Sequence, residues 1–404
     1  MRFKYGTITF GFIILIFMLA GCGKGQPNKE GNSLNSQSSA SINAEKPSSN
    51  SETSIPINPT SILKEDESSF TSIHMVDAIT GWASTKESIL RTVDGGENWT
   101  DVKPKNVSGQ INGPMFCQDD QTAWIIYTQE SSPKIIVYRT KDGGGNWESV
   151  QISRTYNTQV TSLSFSDSTH GWLLASYGGA AGSELVDVFK TSDGGASWKQ
   201  TASVNPKQEI PNGIPFPGDK TGLTFADQKN GWITGYWAAD SVWFYTTHDG
   251  GLTWAFQSIP IPKGYHTEGG SVGTHSPQFF GSKEGVLPVV FRGQNPPALM
   301  LYTTQDGGIS WNATPPVQSA LESLESFRGF QWSIVDAQHS FVSDGYKLYY
   351  TSDGSHSFVS ITPNINFKNL QQLDFVSEQL GLAIIDGILW KTNDGGHIWT
   401  EVKR

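Results

Sequence analysis

Seven aspartates recur along this chain in one context, and a repeated carboxylate invites two chemical readings, general acid catalysis and calcium binding. Asp94, Asp142, Asp193, Asp249, Asp306 and Asp394 each sit in Thr-x-Asp-Gly-Gly-x-x-Trp, and Asp353 sits in a degraded copy in which Ser355 replaces the second glycine and Phe358 the tryptophan. Neither reading suits the spacing. A residue repeated once per unit of roughly fifty residues lies on a ring around a repeat protein and does not converge on one site. Calcium-binding nonapeptides also need tandem copies about nine residues apart. The box is built as a turn: the paired glycines supply positive φ, and the carboxylate accepts hydrogen bonds from turn amides. The box aspartates are therefore expected to be structural, with the aromatic residue packed into its own sheet.

A second concentration of reactive types is Lys263 to His275, which holds Tyr265, His266, Glu268 and His275. Two imidazoles and a carboxylate are metal-ligand types, but the glycines between them impose no fixed geometry, unlike the helical frames of strong zinc motifs. A recognition loop is the reading adopted, with no metal and no cofactor. Tyrosine and tryptophan beside polar groups suit a protein hot spot or a sugar platform.

These residues must be carried by a scaffold, and two further periodicities describe it. The residue four before each box Asp is large and apolar: Leu90, Tyr138, Phe189, Tyr245, Tyr302, Tyr349 and Trp390. Upstream, an apolar residue precedes a small one by six positions, as in Phe165 with Gly171-Trp172 and Phe225 with Gly231-Trp232; Phe116 with Ala123 reads as one residue longer. Each unit reads as four short strands separated by turn signals. Seven such units describe an all-β chain, a seven-bladed β-propeller of four-stranded antiparallel blades with the boxes as hairpins. The blades run approximately Phe70 to Lys103, Gln110 to Ile152, Gln159 to Ser203, Lys220 to Ile259, Ser276 to Pro315, Phe327 to Ile361 and Leu370 to Lys403. Closure is expected from packing of the first blade on the last, or from a strand at Ile55 to Leu63.

The octapeptide resembles the Asp-box, or bacterial neuraminidase repeat, of sialidases, sortilin-type receptors and photosystem II stability and assembly factors. The Asp-Gly-Gly-x-x-Trp form, the Gly-Trp pair and the count of seven are most similar to the assembly-factor branch, over Phe70 to Arg404. That resemblance implies a non-enzymatic scaffold. The alternative it raises is a sialidase-like glycoside hydrolase, which needs three arginines on a substrate carboxylate; Arg154, Arg292 and Arg328 are the candidates, with Tyr156, Tyr265, Glu184 and Glu268 as companions. No Arg-Ile-Pro motif occurs, and sialidases use six blades.

Residues 1–21 read as a lipoprotein signal: Arg2 and Lys4 precede an apolar run from Ile8 to Ala20, too short for a comfortable span. The run ends Leu19-Ala20-Gly21-Cys22, which resembles a lipobox, so Cys22 is expected to carry lipid and to hold the protein on the extracytoplasmic face of a cell membrane, in a Gram-positive setting. Residues 22–69 are Ser, Asn, Gln and Pro rich, a composition that cannot bury enough surface to offset its ordering entropy. They read as a linker to the propeller at 70–404. The formal charge is −10, and no run of Lys or Arg interrupts it, which argues against nucleic acid. Cys117, the other cysteine, reads as a buried small apolar residue. Arg91, Arg139, Lys190 and Lys391 share one repeat position and read as solvated.

In a four-stranded blade, loops alternate faces. The boxes take one face; variation falls on the other, above all in Asn205 to Asp219 and Pro260 to His275. Loops on a rigid frame are where function concentrates. Blade four, with Trp237 and Asp240, is the expected center of a ligand face that includes Arg154, Tyr156, Tyr265, His266, Glu268, His275, Arg292 and Arg328. The expected partner is a protein or a cell-envelope polysaccharide.

Overall fold

The computed structural model describes residues 69–403, apart from 106, 108–110, 129–132, 155–157, 181, 208–209, 238–241, 268–271 and 321–328. The Ile55 to Leu63 segment and the lipobox lie outside the described residues. All regular structure among the described residues is β.

Unit 1 comprises Phe70–Met75 (β1), Gly81–Thr85 (β2), Ile89–Thr92 (β3) and Thr100–Asp101 (β4). Unit 2 comprises Ile111–Cys117 (β5), Ala123–Thr128 (β6), Lys134–Thr140 (β7) and Glu148–Ser153 (β8). Unit 3 comprises Gln159–Phe165 (β9), Gly171–Ala180 (β10), Ser183–Thr191 (β11) and Lys199–Ser203 (β12). Unit 4 is Asp219–Phe225 (β13), Gly231–Tyr236 (β14), Phe244–Thr247 (β15) and Ala255–Phe256 (β16), followed by an additional short strand, Val272–Thr274 (β17). Unit 5 is Gln278–Phe280 (β18), Glu284–Phe291 (β19), Ala298–Thr304 (β20) and Val317–Gln318 (β21). Unit 6 is Gln331–Ile334 (β22), Ser340–Ser343 (β23), Leu348–Thr351 (β24) and Val359–Ile361 (β25). Unit 7 is Leu370–Phe375 (β26), Gly381–Ile385 (β27), Ile388–Thr392 (β28) and Trp399–Glu401 (β29).

These strands form six sheets, where seven separate ones were expected. Five are four-stranded antiparallel meanders, and the sixth has nine strands because β17 hydrogen-bonds to both β14 and β19 and so joins units 4 and 5. Thr274 fixes the junction: its hydroxyl donates to the Trp243 carbonyl at 2.7 Å and accepts from the Gly235 amide at 3.1 Å.

The repeated sequence features are explained by the seams between neighboring units. In register, Gly171 faces Phe165, Gly231 faces Phe225 and Gly381 faces Phe375. A Cβ on Gly171 would stand 2.4 Å from the Phe165 ring, so a side chain there is excluded. The ring lying on that glycine also stacks on the buried tryptophan of the preceding unit, Trp124 on Phe165 and Trp172 on Phe225, both with centroids 3.7 Å apart. Each indole then donates across the seam, Trp124 to the Gly194 carbonyl and Trp172 to the Gly250 carbonyl, at 2.9 Å. The box aromatics correct the sequence reading in part: Trp254 and Trp311 are buried not within one unit but in clusters shared by adjacent units, where Phe225 and Phe279 meet them edge-on. An indole gains more by contacting two sheets than one. Unit 2 needs a second correction, because Cys117, not Phe116, faces Ala123 and restores the six-residue spacing. Cys117 is buried.

The four basic residues at the shared repeat position are seam ties and not solvated charges. Arg139 donates to the carbonyls of Asp193 and Gly194 at 2.8 and 2.9 Å, Arg91 to that of Asp120 at 3.0 Å, and Lys190 to that of Gln228 at 3.2 Å. Inner strands are edges whose amides need partners. The preceding unit supplies them: Ser162 accepts from Leu223 N, Ser164 from Phe225 N and Ser333 from Phe375 N, at 2.8 to 3.1 Å.

Closure uses the same devices. Gln372 of β26 accepts from the Ile73 amide of β1 at 3.0 Å and donates to its carbonyl at 2.7 Å, and the Asp374 carboxylate accepts from Met75 N. The Phe70 amide donates to Gly387 O, Lys391 pairs with Glu97 at 2.6 Å, and Ile73, Met75 and Leu90 share a core with Leu382, Ile384 and Leu389. The first unit thus packs against the last, and the fold is a β-propeller.

Candidate functional site

The box face is chemically closed. In each of the seven boxes the Thr hydroxyl donates to the Asp carboxylate two residues on, at 2.8 or 2.9 Å. The same carboxylate accepts an amide four residues on, at 2.8 to 3.0 Å. The first glycine amide of each box donates to a carbonyl in the turn between the first two strands of the same unit, for example Gly95 to Ile79 and Gly194 to Thr169. Amide and side-chain donors hold Asp94, Asp193, Asp306 and Asp353 down at about 2, and Asp142 and Asp394 below the usual range for the same reason. These carboxylates stay ionized and are occupied by their own turns. In the degraded copy Ser355 keeps the left-handed backbone at φ 69°, beside Gly354 at 66°.

The opposite face of units 4 and 5 is built differently. Strand β14 ends in Tyr236, which lies beside Asp219 on one side and Gly273 of β17 on the other. Tyr236 is exposed, and a hydrogen bond to Asp219 raises its phenol above the ordinary range. Arg292 follows β19 and is exposed; its charge acts on both Tyr236 and His275. His275 is held at about 4 by burial and secondarily by Arg292, so it is a neutral imidazole near pH 7, and its ring meets Trp332 edge-on at 4.8 Å. Beneath lies Lys220, buried, with its ammonium donating to the carbonyls of Gly218, Phe216 and Glu184 at 2.7, 3.0 and 3.1 Å and lying 5.2 Å from the Trp243 ring. Burial brings that lysine down to about 8. Its three carbonyl contacts tie the Asn205 to Asp219 connection to the sheet edge.

The expected ligand residues divide accordingly. Arg292 and His275 both flank β17 and β19, close enough for the arginine charge to act on the imidazole. Tyr265 packs edge-on against Phe291 at 4.9 Å, His266 is exposed, and Trp237 is half-buried against the Trp243 cluster, so the exposed aromatic at the end of β14 is its neighbor Tyr236. Arg154 stands apart at the end of unit 2, where its amide donates to the Pro133 carbonyl, and its side chain reaches unit 3, ion-paired to the buried carboxylate of Asp187 and lying over the rings of Tyr177 and Phe189. It shares no contact with Arg292 among the described residues. Cys22, Tyr156, Asp240, Glu268 and Arg328 lie outside the described residues. No group of three or more His, Cys, Asp or Glu side chains among the described residues is placed to hold a metal ion. Sequence reasoning missed Tyr236, Asp219, Lys220 and Trp332. For Tyr236 the signal was its place at the last position of a buried strand, where the alternation turns outward.

A model of the Sortilin-Vps10 family (sortilin, neurotensin receptor 3) matches residues 87–210. No curated protein matches the chain closely enough to register. Among solved structures, YCF48 from Cyanidioschyzon merolae superposes with a TM-score of 0.51 at 16% identity, covering 81% of this chain and 97% of that one. The GH74 xyloglucanase from Xanthomonas campestris gives 0.54 at 14% identity, covering 83% of this chain and 54% of that one, so the chain spans about half the enzyme's length. An oligogalacturonate lyase in complex with manganese gives 0.51 at 9% identity, covering 80% and 88%. At these identities the likeness establishes the frame, a β-propeller of the Asp-box kind, and the same frame serves proteins of different activity.

Proposed function

We propose that this chain is a non-enzymatic binding module: a seven-bladed propeller, lipid-anchored through Cys22 at the outer face of a cell membrane, that holds a protein partner on the loop face of units 4 and 5. The count of seven takes the nine-stranded sheet as two four-stranded blades joined by β17. The observation that carries the binding reading is β17 itself. It departs from the repeat and places Tyr236 and Arg292 on a hydrogen-bonded platform, whereas the box face spends its polar groups on its own turns. An exposed tyrosine and an arginine held by a rigid edge are the residue types that dominate protein interfaces. The glycosidase alternative draws little support, since Arg154 is already paired with Asp187 and a substrate carboxylate needs bidentate arginine contacts at one point.

Photo-crosslinking from position 236 or 292 on intact cells tests the reading, with position 93 on the box face as control. One dominant protein captured from 236 and 292 but not from 93 is expected. Capture of polysaccharide alone points to the envelope polymer instead, and equal capture from both faces defeats the proposal. Cys22→Ala is expected to release the protein from the membrane fraction; retention there defeats the anchor.

A further inference from the structure

Unit 3 carries a cavity that the loop face of units 4 and 5 does not use. It has a volume of about 560 Å³, within the range that encloses small ligands. Its polar side is formed by Arg154, Asp187, Gln200 and Ser203, and its apolar side by Leu185, Val204 and Pro206, with the Tyr177 ring alongside. The polar side is a connected network: Arg154 pairs with Asp187 and donates to Gln200 Oε1 at 3.3 Å, Gln200 donates to the other Asp187 oxygen at 3.2 Å, and the Tyr177 hydroxyl donates to Asp187. Arg154 Nε is buried and has no hydrogen-bond partner among the described residues.

We propose that this cavity binds a neutral saccharide unit. The network is charge-balanced, one guanidinium against one carboxylate, and both are largely withdrawn from solvent, with side chains 12% and 3% exposed. A carboxylate or phosphate ligand would compete with Asp187 for Arg154, and a cationic ligand would meet Arg154 itself. A sugar hydroxyl both accepts and donates, so it accepts from the Gln200 amide or the Ser203 hydroxyl and donates to Gln200 Oε1, while the buried Arg154 and Asp187 stay paired behind them and hold Gln200 in place. The C–H face of a pyranose ring then covers the Leu185, Val204 and Pro206 wall. Alternating donors and acceptors beside an apolar wall is what a polyol needs and what a charged ligand does not.

Saturation-transfer NMR with glucose, galactose and N-acetylglucosamine tests this on the intact propeller, with N-acetylneuraminic acid as the charged control. Saturation transfer to at least one neutral sugar is expected, reduced fivefold or more in Gln200→Ala and in Arg154→Lys, with none to the charged sugar. Gln200 is exposed, so its truncation leaves the fold intact and keeps the test interpretable if Arg154→Lys is unstable. No transfer to any neutral sugar, equal transfer in Gln200→Ala protein of unchanged melting temperature, or preference for the charged sugar overturns the assignment. None of these outcomes depends on what is captured at positions 236 and 292.

Discussion

The two faces of this propeller spend their polar side chains differently. On the box face, aspartate and threonine are consumed by their own turns seven times over, and even the degraded copy in unit 6 keeps the same bonds. On the loop face of units 4 and 5, a three-residue strand breaks the repeat, and Tyr236 and Arg292 are left facing solvent. The difference teaches that repetition marks where the frame is stabilized and departure from it marks where the molecule is free to bind.

The largest effect that sharpens this contrast is expected within the frame. Trp172 is fully buried, stacked on Phe225 and hydrogen-bonded across the seam, so Trp172→Ala should cost about 3–5 kcal/mol of stability, read by chemical denaturation. A loss below about 1 kcal/mol would mean that the seams do not carry the fold.

Acid should next attack the rim as a set. Hydrogen bonds within the turns hold Asp94, Asp193, Asp306 and Asp353 down at about 2, below their unfolded value near 4, so the stability they contribute is present above about 4 and is lost as pH falls from there toward 2. Removing a single box, as in Asp193→Ala, should cost about 1 kcal/mol at pH 7, since the hydrogen bonds are charge-assisted but exposed. A melting temperature that does not fall between pH 4 and 2 would contradict the assignment of these turns.

Asp374 has the reverse sign. Burial brings this closure-seam carboxylate up to about 7, so the folded form binds the extra proton between pH 4 and 7 and stability from this group declines as pH rises through that window. Asp374→Asn keeps an acceptor for Met75 N and should flatten the stability profile between pH 4 and 7. An unchanged profile removes Asp374 from the account of closure.

Smaller changes finish the series. Ser355→Gly should stabilize the protein by about 0.5–1 kcal/mol by relieving a left-handed non-glycine residue. Tyr236→Ala and Arg292→Ala should shift stability by no more than about 0.5 kcal/mol while abolishing partner capture. If either loop-face change unfolds the protein, or leaves capture intact, the division between frame and binding face fails.

The frame was legible because its signals are strictly periodic: box, glycine and aromatic recur in register, and each reports a local requirement of a turn or a seam. Trp172 and Phe225 could be placed in the core from sequence, but not paired, because the contact joins residues of different units. The site was less legible for the same reason. Val272-Gly273-Thr274 has two β-branched residues but is only three residues long and follows a glycine-rich stretch, so nothing local announces that it bridges two sheets. Trp237 was favored over Tyr236 because which of two adjacent aromatics faces outward depends on where β14 ends. Asp374 was not singled out in the sequence, because its partner, the Met75 amide, lies at the other end of the chain and nothing local announces the contact.

Among the described residues the first and last units exchange no strand: β1–β4 and β26–β29 are each contiguous, and side chains, a backbone hydrogen bond and a shared core join them. The place where this polypeptide starts its circuit is therefore arbitrary as far as the fold is concerned. A gene rearranged to begin at the connection between β25 and β26, with a linker joining Lys403 to Ser69, is expected to encode the same circle, whereas a cut beside β17 would break the one bridge that joins two sheets.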